Sequence, residues 1–213
     1  MSIRFFFLTF VVGIILLSML SGCQQLGLST NELPDDGPAI RVSEAAARSF
    51  LQKNVDAVKA AAQTGTSRLT ITQEEITSVI AFSVDAPERG ATMVAQSAEE
   101  NDEVPNLPNL DILVTIEEPQ VYFKADGTII LRGRIEFRNS FQPFRIVTRP
   151  SATAGTLEFD FVEGFIGPVA MPESIFDQLG NLLAQAILLG QEYVEVSELR
   201  VQEGTLTVAG RGN

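Results

Sequence analysis

The sequence predicts an α+β protein: a strongly curved antiparallel β-sheet wrapped around a long helix in the C-terminal half, with further helices on the N-terminal side. Three observations carry this. From about residue 110 apolar and polar residues alternate with the period of a strand. That alternation is interrupted by a broad helical stripe between Pro172 and Gly190. A turn-plus-strand phrase also recurs, as DGTIILRGR (126–134) and EGTLTVAGR (203–211), with a looser copy, AGTLEFDF, at 154–161.

The repeat reads as hairpin chemistry. Asp126-Gly127 lies between Val121, Phe123 and Ile129, Leu131, which suits a two-residue loop with its glycine at positive φ. Glu203-Gly204 stands in the same way between Leu199, Val201 and Leu206, Val208. Gly133 and Gly210 fall inside the returning strands, where a missing side chain marks a bulge, a bend or the close approach of another element. A phosphate-cradling loop would need a fixed glycine spacing, a lysine and a following helix, and the repeat has none of these.

The remaining elements follow in chain order. Ser43 is placed to cap a helix running to about Ala62, with Phe50, Leu51, Val55, Val58 and Ala62 on one stripe. After a short extended segment, Thr72 and Glu75 have the spacing of a capping box, and Ile76, Val79 and Ile80 repeat at helical spacing. Residues 84–108 read as the end of that helix and a long loop whose Glu99, Glu100, Asp102 and Glu103 are solvated charge. Strand patterns then run through Ile112, Val114 and Ile116, through Val121 and Phe123, and through Leu131, Ile135 and Phe137, which alternate with charged residues as on a sheet with one solvated face. Phe144 and Ile146 suggest a further strand, and Leu157, Phe159 and Phe161 alternate cleanly with Glu158 and Asp160. Phe165 and Ile166, between Gly164 and Gly167, fall where a turn is expected. They read either as a tip that touches a bilayer or admits lipid, or as a plug for the end of the core. In the helix that follows, Ile175, Leu179, Leu182, Leu183, Ala186 and Ile187 share one side, and Phe176 widens the stripe. So broad an arc suits a helix embraced by a curved sheet, or one that shares its surface with an apolar ligand.

Composition narrows the chemistry. The chain has no histidine and no tryptophan, so it holds no Ser-His-Asp arrangement, no imidazole metal ligand and no imidazole acid or base. No catalytic residue, metal site or cofactor is expected, and carboxylates, Ser, Tyr or Lys show no spacing that points to an enzyme. The formal net charge of −12 repels phosphate backbones, which excludes nucleic acid as a natural partner, and disfavours electrostatic binding to anionic lipid head groups.

The N-terminus speaks of location. Arg4 precedes an apolar run of 16 residues, which as a helix would span roughly 24 Å, short of a bilayer core of about 30 Å and typical of an export signal. The run ends at Leu20-Ser21-Gly22-Cys23, which resembles the lipobox of bacterial lipoproteins. The resemblance implies lipidation of Cys23, palmitate among its acyl chains, cleavage before it, and a protein anchored outside the cytoplasm. Gln24 is compatible with the outer membrane where the cell has two membranes, and the outer face of the cell membrane is the alternative. Residues 1–22 would then be a signal peptide, 23–40 an acylated flexible tether, and 41–213 a single domain. Cys23 is the lone cysteine, so no intramolecular disulfide is possible.

The order of elements from 68 to 211 resembles the LmeA-like proteins of bacterial envelopes, within the tubular lipid-binding (TULIP) superfamily. It rests on ITQEEITSVI, the DGTIILRGR hairpin, GTLEFDF, the helix after a proline and the closing EGTLTVAGR hairpin. The resemblance implies an apolar groove for lipid or another hydrophobic ligand, with a place in envelope lipid handling. Its candidate lining is Val121, Phe123, Leu131, Ile135, Phe137, Leu157, Phe159, Phe161, Phe165, Ile166, Leu179, Leu182, Leu183 and Ile187. The same residues would equally fill a core. The alternative is a structural or assembly lipoprotein whose acidic face and edge strands hold an envelope protein partner.

Overall fold

A computed structural model describes residues 34–85, 115–188 and 194–212. Leu33–Asn213 form one compact unit. Helix α1 (Glu44–Thr64) starts where Ser43 Oγ accepts from the Ala46 N–H at 3.1 Å and stops at Gly65, left-handed at φ 72°. A left-handed residue at that position favours glycine because it carries no Cβ. The buried face runs through Phe50, Leu51, Val55, Ala57 and Ala61. Of the expected stripe, Val58 is half-buried and Ala62 exposed, because the buried face is centred instead on Phe50, Asn54, Ala57 and Ala61, where Ala61 lies close to Gly212. Strand β1 (Thr66–Thr72) leads into α2 (Gln73–Asp85). The capping box forms reciprocally: Thr72 Oγ1 accepts from the Glu75 N–H at 3.2 Å, and Glu75 Oε2 accepts from the Thr72 N–H at 2.9 Å.

Strands β2 (Ile116–Phe123), β3 (Ile129–Phe137), β4 (Ser140–Thr153), β5 (Thr156–Ile166) and β6 (Val169–Ala170) form a five-stranded antiparallel sheet in sequence order. Helix α3 (Glu173–Ile187) follows, with Pro172 at its N-cap. Strands β7 (Val194–Gln202) and β8 (Thr205–Gly212) then pair with β1 in the order β1-β8-β7. The expected single sheet is therefore two. The closing hairpin does not extend the first sheet, because β8 takes β1 as its partner, with Leu69 opposite Val208 and Ile71 opposite Leu206. Alternation reveals which face of a strand is buried and says nothing of which distant strand it pairs with.

The repeated phrases meet at a corner where the two sheets touch. The Gly204 N–H donates to Phe123 O at 3.0 Å, and the Ala125 N–H donates to Glu203 Oε2 at 3.1 Å. The Glu203-Gly204 loop has two residues, as expected, with Gly204 at φ 76°. The Asp126-Gly127 loop is longer: Lys124 N–H donates to Thr128 O, and Gly127 is left-handed within it at φ 86°. Asp126 Oδ1 stabilises this loop by accepting from the N–H and the Oγ1 of Thr128 at 3.0 and 2.6 Å. Gly133 and Gly210 each sit opposite a β-bulge, at Glu117/Gln120 and Val196/Glu198. A Cβ at Gly133 would lie 2.8 Å from Glu117 O, and one at Gly210 2.8 Å from Glu195 O. A third bulge, with Val162 the extra residue opposite Val147 and Thr148, bends β5 against β4. Bulges re-aim a strand and raise its twist, so the repeat is a bending device used in both sheets.

One continuous core joins the three described helices and both sheets, with Phe50, Ile71, Ile80, Phe123, Leu131, Phe144, Leu183 and Leu206 at its centre. The opposite face of the five-stranded sheet was expected to be solvated, yet residues 34–40 lie across it. Tyr122, Ile130 and Val147 pack there with Ile40, Gln120 Nε2 donates to Ile40 O at 3.1 Å, and Lys124 Nζ donates to Asp36 O at 2.6 Å. The expected tether boundary at residue 40 therefore moves toward the N-terminus, because this strap carries a buried carboxylate, Asp36, that the sheet requires. Among the described residues no helix is long and apolar enough to cross a membrane.

Candidate functional site

The alternation of β5 directs Leu157, Phe159 and Phe161 to the helix side of the sheet, where α3 presents Phe176, Gly180 and Ala184 at intervals of four residues, one helix face. Gly180 and Ala184 are too small to close the space between the two elements. A cleft of about 520 Å³ results, lined by Leu157, Glu158, Phe159, Asp160, Phe176, Asp177, Gly180, Asn181 and Ala184. Four consecutive residues of β5 border it because β5 is an edge there: β6 pairs with Phe165 and Ile166 alone. The Phe161 and Phe176 rings meet at 4.5 Å between centroids and 60° between planes. Gly164 makes room for this pair, since a Cβ there would lie 2.8 Å from the Phe161 ring.

Gly180 is the informative residue. It sits in mid-helix, and a Cβ there would meet nothing within 4 Å outside its own helix backbone. Neither close packing nor a special φ requires glycine at this position. Glycine inside a helix costs about 0.5–1 kcal/mol relative to alanine; what it provides here is open space.

The fourteen expected lining residues divide sharply. Val121, Phe123, Leu131, Ile135, Leu157, Ile166, Leu179, Leu182, Leu183 and Ile187 are buried in the core, where they pack on one another. Phe137 and Phe159 are partly buried against it. Phe161 and Phe165 are exposed, at 46% and 40%. Of the fourteen, Leu157 and Phe159 border the cleft. The pair Phe165 and Ile166 splits: both lie in β5, with Ile166 a plug at 2% exposure and Phe165 outside. Phe165 joins Val162 and Val169 among the exposed large apolar residues. Cys23 lies outside the described residues. Gly180, Ala184 and the acidic rim were not singled out from sequence; a glycine within an otherwise strong helical stripe was the available signal.

A second concave region, of about 420 Å³, lies on the strap side and is lined by Ala39, Glu118, Gln120, Arg132, Gly133 and Arg134. Beside it Asp36 is held by Arg145 and approached by Arg132, whose Nη2 donates to the Tyr122 hydroxyl at 2.6 Å. Hydrogen bonding to Asp36 holds the Arg145 guanidinium above its usual range, against the pull of burial. Burial pushes the Tyr122 phenol up, against the influence of Arg132. Every polar group of that network has a partner in the chain, so it reads as structure. Among the described residues no group of three or more Asp, Glu, Cys or His side chains is placed to hold a metal ion.

No protein-family model matches the sequence, and no curated protein matches it. Among solved structures, a partial likeness is to a crystal structure of lipopolysaccharide binding protein, at 12% identity and a TM-score of 0.17, covering 46% of this chain and 30% of that one.

Proposed function

We propose that this chain is a non-enzymatic lipoprotein, anchored outside the cytoplasm through acylated Cys23, that binds lipid or another hydrophobic ligand in the cleft between β5 and α3, in the manner of TULIP proteins. The observation that carries the ligand site is Gly180: a glycine in mid-helix, at a cost in stability, beside a space that no side chain fills and that Leu157, Phe159 and Phe176 border. The expected groove within the sheet is occupied by packed side chains, so the ligand lies at the edge of the core, against Leu157, Phe159 and Phe176.

The test is the mass of Leu33–Asn213 purified without detergent, recorded under native conditions and again after denaturation. This segment is one compact unit, and the core and hydrogen bonds described above lie within it. A discrete excess mass of a long-chain molecule, lost on denaturation and absent from Gly180→Leu, is the expected result. A clean protein that also takes up no added long-chain lipid overturns the reading. The anchor is tested separately: radiolabelled palmitate should enter the full chain in cells and fail to enter Cys23→Ser.

A second reading, an assembly lipoprotein holding a protein partner, is favoured by the exposed Val162, Phe165 and Val169 beside the free edge of β5. A stoichiometric copurifying protein lost on Phe165→Ser, with no bound lipid, would select it.

A further inference from the structure

Five large apolar side chains are exposed among the described residues, and four of them, Phe161, Val162, Phe165 and Val169, fall within one stretch of β5 and β6. Exposed apolar residues are normal when scattered singly, whereas a cluster marks a surface that meets something apolar. Residues 164–171 contain no charged side chain, in a protein of net charge −12. The charge just before them, Glu163, accepts a hydrogen bond from Arg145 and is neutralised in place. The hairpin also satisfies its own backbone. Ile166 pairs with Val169 and Phe165 with Ala170. The Gly167 N–H donates to Pro143 O at 2.7 Å, the Met171 N–H donates to Gly164 O at 2.9 Å, and Pro168 has no N–H to offer. Such a hairpin enters a weakly polar medium without leaving these donors unpaired.

The strap identifies the medium. Its buried part ends at Asp36, which Arg145 binds, and Asp35 and Pro34 before it are exposed. Arg145 faces Phe165 in the β4–β5 register, so the chain running back toward Cys23 leaves the domain one ladder partner away from Phe165. The stretch from Cys23 to Pro34 spans at most about 40 Å even when fully extended. An acylated Cys23 therefore holds this corner of the domain within reach of a bilayer.

We infer that the β5–β6 hairpin is a second membrane contact, with Val162, Phe165 and Val169 entering the interfacial layer of a bilayer that carries little net charge. This rests on the reading of Cys23 as an acylated anchor, and it adds which side of the domain lies toward the membrane. An acidic chain gains nothing from anionic head groups, so the contact is apolar. Two attachments, acyl chain and hairpin, hold a protein at a bilayer more firmly than either alone.

The chain has no tryptophan, so Phe165→Trp gives Leu33–Asn213 a single indole at the hairpin. Val42→Trp, at the exposed large apolar residue outside it, gives the control. Each is mixed with phosphatidylcholine vesicles whose acyl chains carry bromine, an indole quencher, and with matching vesicles that contain phosphatidylglycerol. On phosphatidylcholine the Phe165→Trp emission should shift to the blue and be quenched, while that of Val42→Trp stays unchanged. Phe165→Ser with Val169→Ser should weaken partitioning into these vesicles about tenfold, the loss expected when roughly half of a Phe and a Val side chain no longer leave water. Unquenched Phe165→Trp, equal quenching at Val42→Trp, or tighter binding to the phosphatidylglycerol vesicles would overturn the inference. A blue shift that grows with protein concentration in the absence of vesicles would overturn it as well, and assign the patch to a second copy of the chain. Palmitate incorporation at Cys23 without quenching at Phe165→Trp would remove the hairpin contact alone. Quenching without palmitate incorporation would support the hairpin contact and remove the anchor.

Discussion

Asp36 and Arg145 stand 109 residues apart and are joined by paired hydrogen bonds along one edge of the guanidinium: Arg145 Nη2 donates to Oδ1 at 2.8 Å and Nε to Oδ2 at 2.9 Å. Arg145 also donates to Glu163 on the adjacent strand. Across the ladder Arg145 faces Arg132 in register, and directly opposed like charges destabilise a sheet. Asp36 lies between the two, 4.0 Å from Arg132 Nη1, and allows Arg145 to be buried and Arg132 half-buried under the strap. Asp36→Ala leaves Arg145 buried without its principal counter-charge and should cost about 3–5 kcal/mol. Urea unfolding of Leu33–Asn213 measures this. A loss below about 1 kcal/mol, the usual worth of an exposed ion pair, would mean that the strap is dispensable.

Acid should weaken the molecule partly through Glu75. Burial alone would raise its carboxyl, but hydrogen bonds from Lys53, Ser49 and the Thr72 N–H outweigh burial, and the net direction is below the ordinary value of 4.5. A carboxyl depressed in the folded state contributes stability that is complete above its unfolded pKa and is lost as pH falls through the folded one. Glu75→Gln should therefore lower stability near neutral pH and flatten the decline below about 4.5, the ordinary value. Urea midpoints across the acid range read both effects; parallel curves for the two proteins would assign the acid limb to other carboxyls.

The repeat glycines serve two different purposes, and substitution should separate them. Gly204 has open space at its Cβ position and a positive φ, so Gly204→Ala should cost about 1 kcal/mol of backbone strain. Gly210 has an ordinary φ, but a Cβ there would strike Val194 Cγ1 and the backbone of Glu195. Overpacking of this kind costs about 1–3 kcal/mol, and Gly210→Ala should also disturb the β7 bulge. Thermal midpoints give the order. Equal small losses would mean that β7 shifts freely.

Phe165 and Ile166 offer the sharpest contrast between neighbours. Ile166→Ala removes buried methyl groups from the core and should cost about 2–5 kcal/mol, whereas Phe165→Ser, at an exposed site, should stay within about 0.5 kcal/mol. Similar losses at both positions would contradict their opposite orientations in β5.

Local grammar was legible in the residues themselves. The Ser43 cap, the Thr72–Glu75 box, Pro172 ahead of α3, the Glu203-Gly204 turn and the β5 alternation all appear where the sequence predicts them, because each depends on side chains within a few residues of one another. The closeness of a neighbour at Gly133 and Gly210 was legible too, though the identity of that neighbour was not.

What the sequence by itself determined is therefore the α+β class, most of the helices and strands among the described residues from Ser43 onward, and an acidic chain without imidazole chemistry. Tertiary structure alone decided which strands pair, so that β8 joins β1 and one expected sheet became two. It also decided that the strap belongs to the domain, through an ion pair spanning 109 residues, and that most of the apolar stripe is core while Gly180 faces open space. The physical reason is common to all three. Periodicity tells a residue which way to face, but pairing, neutralisation of a buried charge and the filling of a volume depend on atoms brought together from distant parts of the chain.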